Sequence, residues 1–234
     1  MTPTAAEPAA AATLLGRTLR RVFVAAQRVR SPRPIHPRGL TLGGNVFWGH
    51  RDGTSGIHWI DDPAPGDRTE IVARFSRSLG LPDHLPDILG LALHVKTDTG
   101  HADIELASTG SGVPLRFVLI PRWRPSRGVL TTLVPYRGDN GPVLLRARPL
   151  RPSLPSGLGD IDEELRSASW QLTLSYATPG GAWHPFALLS LDSRDDAADI
   201  RFDAGRHIIP GARTYPWVRA IRQPSYDAVQ RHNR

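Results

Sequence analysis

From residue 39 to about residue 203 the chain breaks into short apolar segments separated by strong turn signals, and this rhythm limits the fold most. Leu40–Trp48, Thr69–Ser76, Ile88–Val95, Ala102–Ala107, Leu115–Ile120, Val129–Tyr136, Val143–Arg148, Ala168–Tyr176 and Phe186–Leu191 each have strand length. Between them stand Asp52-Gly53, Pro65-Gly66, Thr99-Gly100, Asp139-Asn140-Gly141 and Pro179-Gly180-Gly181, residue types that supply the backbone angles of tight turns. Trp170, Leu172, Leu174 and Tyr176 alternate with Gln171, Thr173 and Ser175, as in a strand with one buried face. About eight or nine strands at hairpin spacing favour a closed, mostly antiparallel barrel, because closure removes the exposed edges that template aggregation. Pro149, Pro152 and Pro155 mark Arg148–Gly159 as a long loop.

The ends read differently. Leu15, Leu19, Val22, Phe23 and Ala26 recur at helical spacing within residues 10–30, and Ser31-Pro32 and Pro34 stop the pattern. Pro210-Gly211 breaks the chain again, and Pro216 and Pro224 suit first-turn positions in a helical C-terminal stretch. The expected organisation is β-rich (α+β) and a single domain spanning residues 1–234. Residues 1–32 form a helix and linker, 33–205 the barrel, and 206–234 a helical segment.

Composition removes several function classes. The chain contains no cysteine, which eliminates disulfides, thiolate nucleophiles and cysteine-ligated metals. No apolar run reaches the ~18 residues of a membrane span, and the start lacks the basic segment of a secretory signal, so a cytoplasmic location is expected. The net charge of +7 invites a nucleic-acid partner, yet Lys96 is the lone lysine among 29 basic residues. The scattered arginines match a G+C-rich coding bias better than a phosphate-binding surface, which argues against nucleic acid.

Phosphate-loop, dinucleotide-binding, zinc-protease and nucleophile-elbow signatures are all absent. His101-Ala102-Asp103 is the nearest approach to a metal-ligand spacing, and a turn beside a strand explains it better. Three separated segments carry more. Arg33-Pro34-Ile35-His36-Pro37-Arg38-Gly39 leads into the first strand. Arg74 and Ser76 share one face of a strand. Arg222 precedes Tyr226 by one helical turn. Each taken singly fits a turn histidine, outward polar side chains or a surface pair.

Taken in order, these segments resemble the catalase superfamily. Arg33, His36 and Gly39 are similar to its R-x-x-H-x-x-G, and Arg74-Phe75-Ser76 to its V-R-F-S. Asp87, Gly90 and Ala92 look like its D-x-x-G-x-A, and Asp103–Ala107 like the aspartate-led strand that follows. Phe202-Asp203, Pro210-Gly211 and Arg222…Tyr226 stand in the family's C-terminal order. The resemblance runs from about residue 33 to the C-terminus. It implies an eight-stranded antiparallel barrel binding haem b.

It also implies roles for the matched residues. Tyr226 is the expected iron ligand as a phenolate, with Arg222 at i−4 stabilising the anion against a solution pKa near ~10. Arg33 and Arg74 are the expected haem-propionate partners. His36 is the expected distal acid–base and Ser76 its orienting partner. In place of the family's distal asparagine, Ala107-Ser108-Thr109-Gly110 offers only a hydroxyl, from Ser108 or Thr109. A distal phenylalanine and the dimerisation arm are missing, and Pro37 directly follows the histidine.

The leading expectation is a haem-dependent oxidoreductase acting on hydrogen peroxide or organic hydroperoxides with a small organic donor, and room is left for a homo-oligomer. Without the asparagine, peroxidase turnover or hydroperoxide rearrangement is expected over fast dismutation. The alternative is a barrel that has lost haem and binds a small apolar ligand or acts as a scaffold. An arginine-driven anion or nucleic-acid binder is a third, weaker reading.

Overall fold

A computed structural model of the chain describes residues 39–49, 52–63, 68–98, 100–194, 200 and 202–218. Arg33, His36, Arg222 and Tyr226, the expected helix over residues 10–30 and the C-terminal stretch beyond 218 lie outside the described residues.

Ten strands are described: β1 Gly39–Trp48, β2 Arg68–Arg77, β3 Leu89–Thr97, β4 Gly100–Thr109, β5 Val129–Thr131, β6 Tyr136–Gly138, β7 Gly141–Arg151, β8 Trp170–Ala177, β9 His184–Ser193 and β10 Arg213–Thr214. Eight of them pair in the order β5-β4-β3-β2-β1-β9-β8-β7, and β7 returns to β5, so the sheet closes. Every pairing is antiparallel. Strands β6 and β10 extend from β7 outside the ring.

Alternation along the strands decides what fills the barrel. Leu42, Ala73, Phe75, Leu91, Leu93, Ile104, Leu106, Leu174 and Leu189 point inward and belong to one contiguous buried core. Trp170 of β8 meets Phe75 of β2 edge-on at 5.5 Å, a contact across the ring between strands that are not neighbours. The interior is packed side chain against side chain.

One side of the core-facing row on β2 ends in a charge. Arg77, 2% exposed, donates to the carbonyls of Ser156 (3.2 Å), Pro82 (3.2 Å) and Leu85 (2.6 Å). Its Nε lies 3.9 Å from a carboxylate oxygen of the fully buried Asp87. Asp87 in turn accepts the amides of Leu79 at 2.8 Å and Leu81 at 3.1 Å. The aspartate of the D-x-x-G-x-A pattern therefore folds the β2–β3 connection.

Three sequence expectations are corrected. Leu115–Ile120 is not a strand: a 3-10 turn occupies Leu115–Phe117 after Pro114, leaving Leu115 and Val118 exposed. Val129–Tyr136 splits into β5 and β6, because Leu133 takes a left-handed φ of 58° and Pro135 has no amide to donate. The loop expected over Arg148–Gly159 begins later, since β7 continues through Arg151 past an irregularity in its pairing with β8. It ends in a helix at Leu158–Leu165 (α2, following the one-turn α1 at His58–Asp61). Ile161 and Leu165 of α2 are buried and Leu158 packs on the core, at helical 3/4 spacing. Pro216 opens a helical turn, as its position suggested. Among the described residues no helix is long and apolar enough to cross a membrane.

Candidate functional site

Register fixes which outward side chains are neighbours. Residues opposite one another in an antiparallel pair share a face. Gly39 faces Ser76, Ser76 faces Gly90, Gly90 faces Ala107, and Ala107 faces Thr131. Thr41, Arg74, Ala92 and Glu105 form the next row, and Val72, His94 and Asp103 the one after. All lie opposite the core-facing set, so the outer face of β1–β5 carries a floor of small residues with Arg74 and Ser76 in it.

Two glycines set the position of those side chains. A Cβ on Gly39 would come within 2.6 Å of the Arg74 Nε, and one on Gly90 within 2.8 Å of the Ser76 hydroxyl. Only a residue without a side chain lets the guanidinium lie over β1 and the hydroxyl over β3. This gives Gly39 and Gly90 of the two motifs a physical reason. Ser76 is buried and Arg74 half-buried.

Thr109 projects from the same face, two residues along β4 from Ala107. It is buried, with its hydroxyl 3.0 Å from the Gly110 carbonyl and 3.1 Å from the Thr131 hydroxyl. Ser108, the other residue expected to replace the asparagine, points to the opposite, core-facing side. Its hydroxyl donates to the Ile120 carbonyl at 2.8 Å and accepts the Leu89 amide at 3.0 Å, so it cannot reach the face of Arg74 and Ser76.

Further along the same face is a cluster that the sequence reading set aside as a turn. Asp103, 0% exposed, accepts His94 Nδ1 at 2.7 Å on one oxygen. Its other oxygen accepts His207 Nδ1 at 3.0 Å and the Asp203 amide at 2.8 Å. The His101 ring lies 4.3 Å from that of His94 and 4.0 Å from that of His207, centre to centre. The missed signal was the hairpin register: a turn at Thr97–Gly100 sets His94 opposite Asp103 and Lys96 opposite His101.

On the far side of β5 the outward row reaches Arg146. Burial, then repulsion from Arg148 and Arg116, pushes the Arg146 guanidinium down to about 10. Burial likewise lowers Arg116. Both guanidiniums lie over the Trp183 ring, Arg116 at 4.8 Å and Arg146 at 4.6 Å from its centre.

No family model matches the chain, and no curated protein matches it in sequence. Solved structures do match in fold. Catalase A from Saccharomyces cerevisiae superposes with a TM-score of 0.62 at 12% identity, covering 88% of this chain and 63% of that one. A bacterial catalase superposes with a TM-score of 0.58 at 13% identity, covering 89% of this chain and 59% of that one. The fold is catalase-like. The chain spans about three fifths of the length of those catalases.

Proposed function

We propose that this barrel serves a haem-dependent oxidoreductase acting on hydrogen peroxide or an organic hydroperoxide. The observation that carries the reading is the Arg74–Ser76 pair, set on the outer face of a catalase-like barrel by glycines whose Cβ would fill the space of both side chains. The residues fit the cofactor: a guanidinium suits a propionate, a short hydroxyl suits an imidazole, and the small-residue floor suits a flat ring.

Arg74, with Arg33, would hold the propionates. Arg222 would keep the Tyr226 phenol ionised for the iron. His36 Nε2 or Nδ1 would take the proton from one peroxide oxygen and return it to the other, with the Ser76 hydroxyl fixing the ring. Haem, if bound there, would supply the redox chemistry toward peroxide. Ser108 is turned to the core and the Thr109 hydroxyl is engaged by its neighbours, so no side-chain amide between residues 105 and 109 steers a second peroxide. Oxidation of a small organic donor, or hydroperoxide rearrangement, follows in preference to fast dismutation.

The test is absorption after reconstitution of the full chain with hemin. A Soret band near one equivalent, lost in Tyr226→Phe, is expected. A chain that takes up no hemin overturns the reading and leaves the haem-free barrel. Oxygen release from peroxide at catalase speed overturns the preference for peroxidase turnover.

A further inference from the structure

The cluster around Asp103 has no part in peroxide chemistry as proposed above. We propose that His94, His101 and Asp103 form a site for one divalent transition-metal ion of the zinc, nickel or copper class, with His207 holding the carboxylate from behind.

Charge is the first reason. Asp103 is wholly buried, and among the described residues its only ion-pair partners are His94 and His207. A buried carboxylate is costly unless it is paired, and a divalent cation would pair it.

Geometry is the second. One ligand atom from each of His94, His101 and Asp103 lies within 4.8 Å of the other two. Adjacent ligands on a metal with bonds of about 2.0–2.2 Å stand about 3 Å apart. His94 Nδ1 and Asp103 Oδ1 stand 2.7 Å apart in a hydrogen bond, and a bound ion would take the place of its proton, the ring then carrying its proton on Nε2. His101 is exposed and can close the remaining gap by turning its side chain.

The outer shell is the third. Asp103 Oδ2 is held by His207 and by the Asp203 amide, which aims Oδ1 at His94. The Asp103 amide donates to the His207 carbonyl at 2.7 Å, tying the two segments at the backbone as well. A carboxylate fixed in this way is the usual support of a metal ligand set. Two imidazoles and one carboxylate suit borderline-soft ions and not calcium or magnesium, and three protein ligands leave positions for water. A bound ion would clamp the segment Phe202–His207 onto the β3–β4 hairpin.

The test is equilibrium dialysis of the untagged full chain against zinc chloride at neutral pH, without haem, so that its outcome is independent of the oxidoreductase reading. One equivalent bound in the micromolar range or tighter is expected. Affinity should fall about 10–100-fold in His207→Gln and at least that far in His101→Ala, whose exposed ring is dispensable to folding. Thermal unfolding should shift upward with zinc in the parent chain, and by less at the same zinc concentration in either variant. No saturable uptake, or one equivalent that is retained undiminished in His101→Ala, overturns the proposal.

Discussion

Ser76 stands directly opposite Gly90, and its hydroxyl occupies the space that a side chain at 90 would need. A methyl group there would sit 2.8 Å from the Ser76 oxygen, below any relaxed contact. Gly90→Ala is therefore expected to leave the barrel folded by circular dichroism while pushing Ser76 aside by a few tenths of an ångström. If Ser76 orients His36, the peroxide-dependent rate should drop by about tenfold, since small misplacements near reacting groups are amplified in rate. Steady-state assays of the haem-loaded variant check this, and an unchanged rate would remove Ser76 from the machinery.

Arg74 lies over Gly39, where the motif glycine keeps β1 clear of the guanidinium. A charge-assisted hydrogen bond contributes about 1.5–3 kcal/mol. Arg74→Leu should thus weaken hemin binding by roughly 10–100-fold, with little change in stability because the side chain is only half-buried. Hemin titration followed by absorbance reads the first effect and urea unfolding the second.

Phe75, between Arg74 and Ser76 in sequence, points the other way, into the barrel and onto Trp170. Truncation removes a contact that bridges the ring and leaves a cavity in a close-packed interior. Phe75→Ala should cost about 3–5 kcal/mol, whereas Phe75→Leu should cost far less. Chemical denaturation of both variants measures the difference.

Much of this architecture was legible in the chain itself. Period-two alternation fixed most of the eight ring strands, because an inward Leu or Phe beside an outward Thr or Arg leaves one register open to each strand. Reading failed where backbone chemistry overrode side-chain pattern, as at Leu133 and Pro135, which divide an apolar run into two strands. It failed again at α2, whose Leu158, Ile161 and Leu165 follow a proline-rich run that masks their helical spacing. Arg74 and Ser76 could be paired from their two-residue offset. His94 and His207 could not be joined to Asp103 in the same way, since that contact needs both a hairpin register and a strand-to-loop approach across 104 residues. Thr109 and Ser108 could be separated only by knowing which of them faces the core.

Asp61 carries a pH signature. Burial pushes its carboxyl up, but the Ser55 amide, the Thr54 and Ser55 hydroxyls and the Gly56 amide outweigh burial and hold it below its ordinary value near 3.8. These contacts, at 2.7–2.9 Å, fold the loop that leads into α1 and the buried Trp59 and Ile60. A carboxyl depressed in the folded state contributes stability above its unfolded pKa and loses it as pH falls through the folded value. Asp61→Asn should therefore unfold more easily than the parent at neutral pH, and the gap should narrow as pH falls below about 4. Melting curves across that window check the sign; a gap that widens toward acid would contradict it.

Arg77 and Asp87 pose the sharpest test of how the barrel end is held. The guanidinium is satisfied mainly by three carbonyls, and the carboxylate mainly by two backbone amides, so each ion folds a different stretch of the connection between β2 and β3. Removing the Asp87 carboxylate strands two buried amides, while Arg77 keeps its carbonyls and the Asp83 carboxylate 3.7 Å from its Nε, so the loss is about 1–3 kcal/mol for each stranded group. Asp87→Ala should cost that much, and it should also loosen residues 78–88, raising amide exchange at Leu79 and Leu81 above that elsewhere in the chain. Asp87→Asn keeps an acceptor for those amides and removes the charge facing Arg77. Its cost should fall well below that of Asp87→Ala if backbone capping dominates, and should equal it if the ion pair does. The 3.9 Å separation between Nε and the carboxylate favours capping, because it is too long for a hydrogen bond.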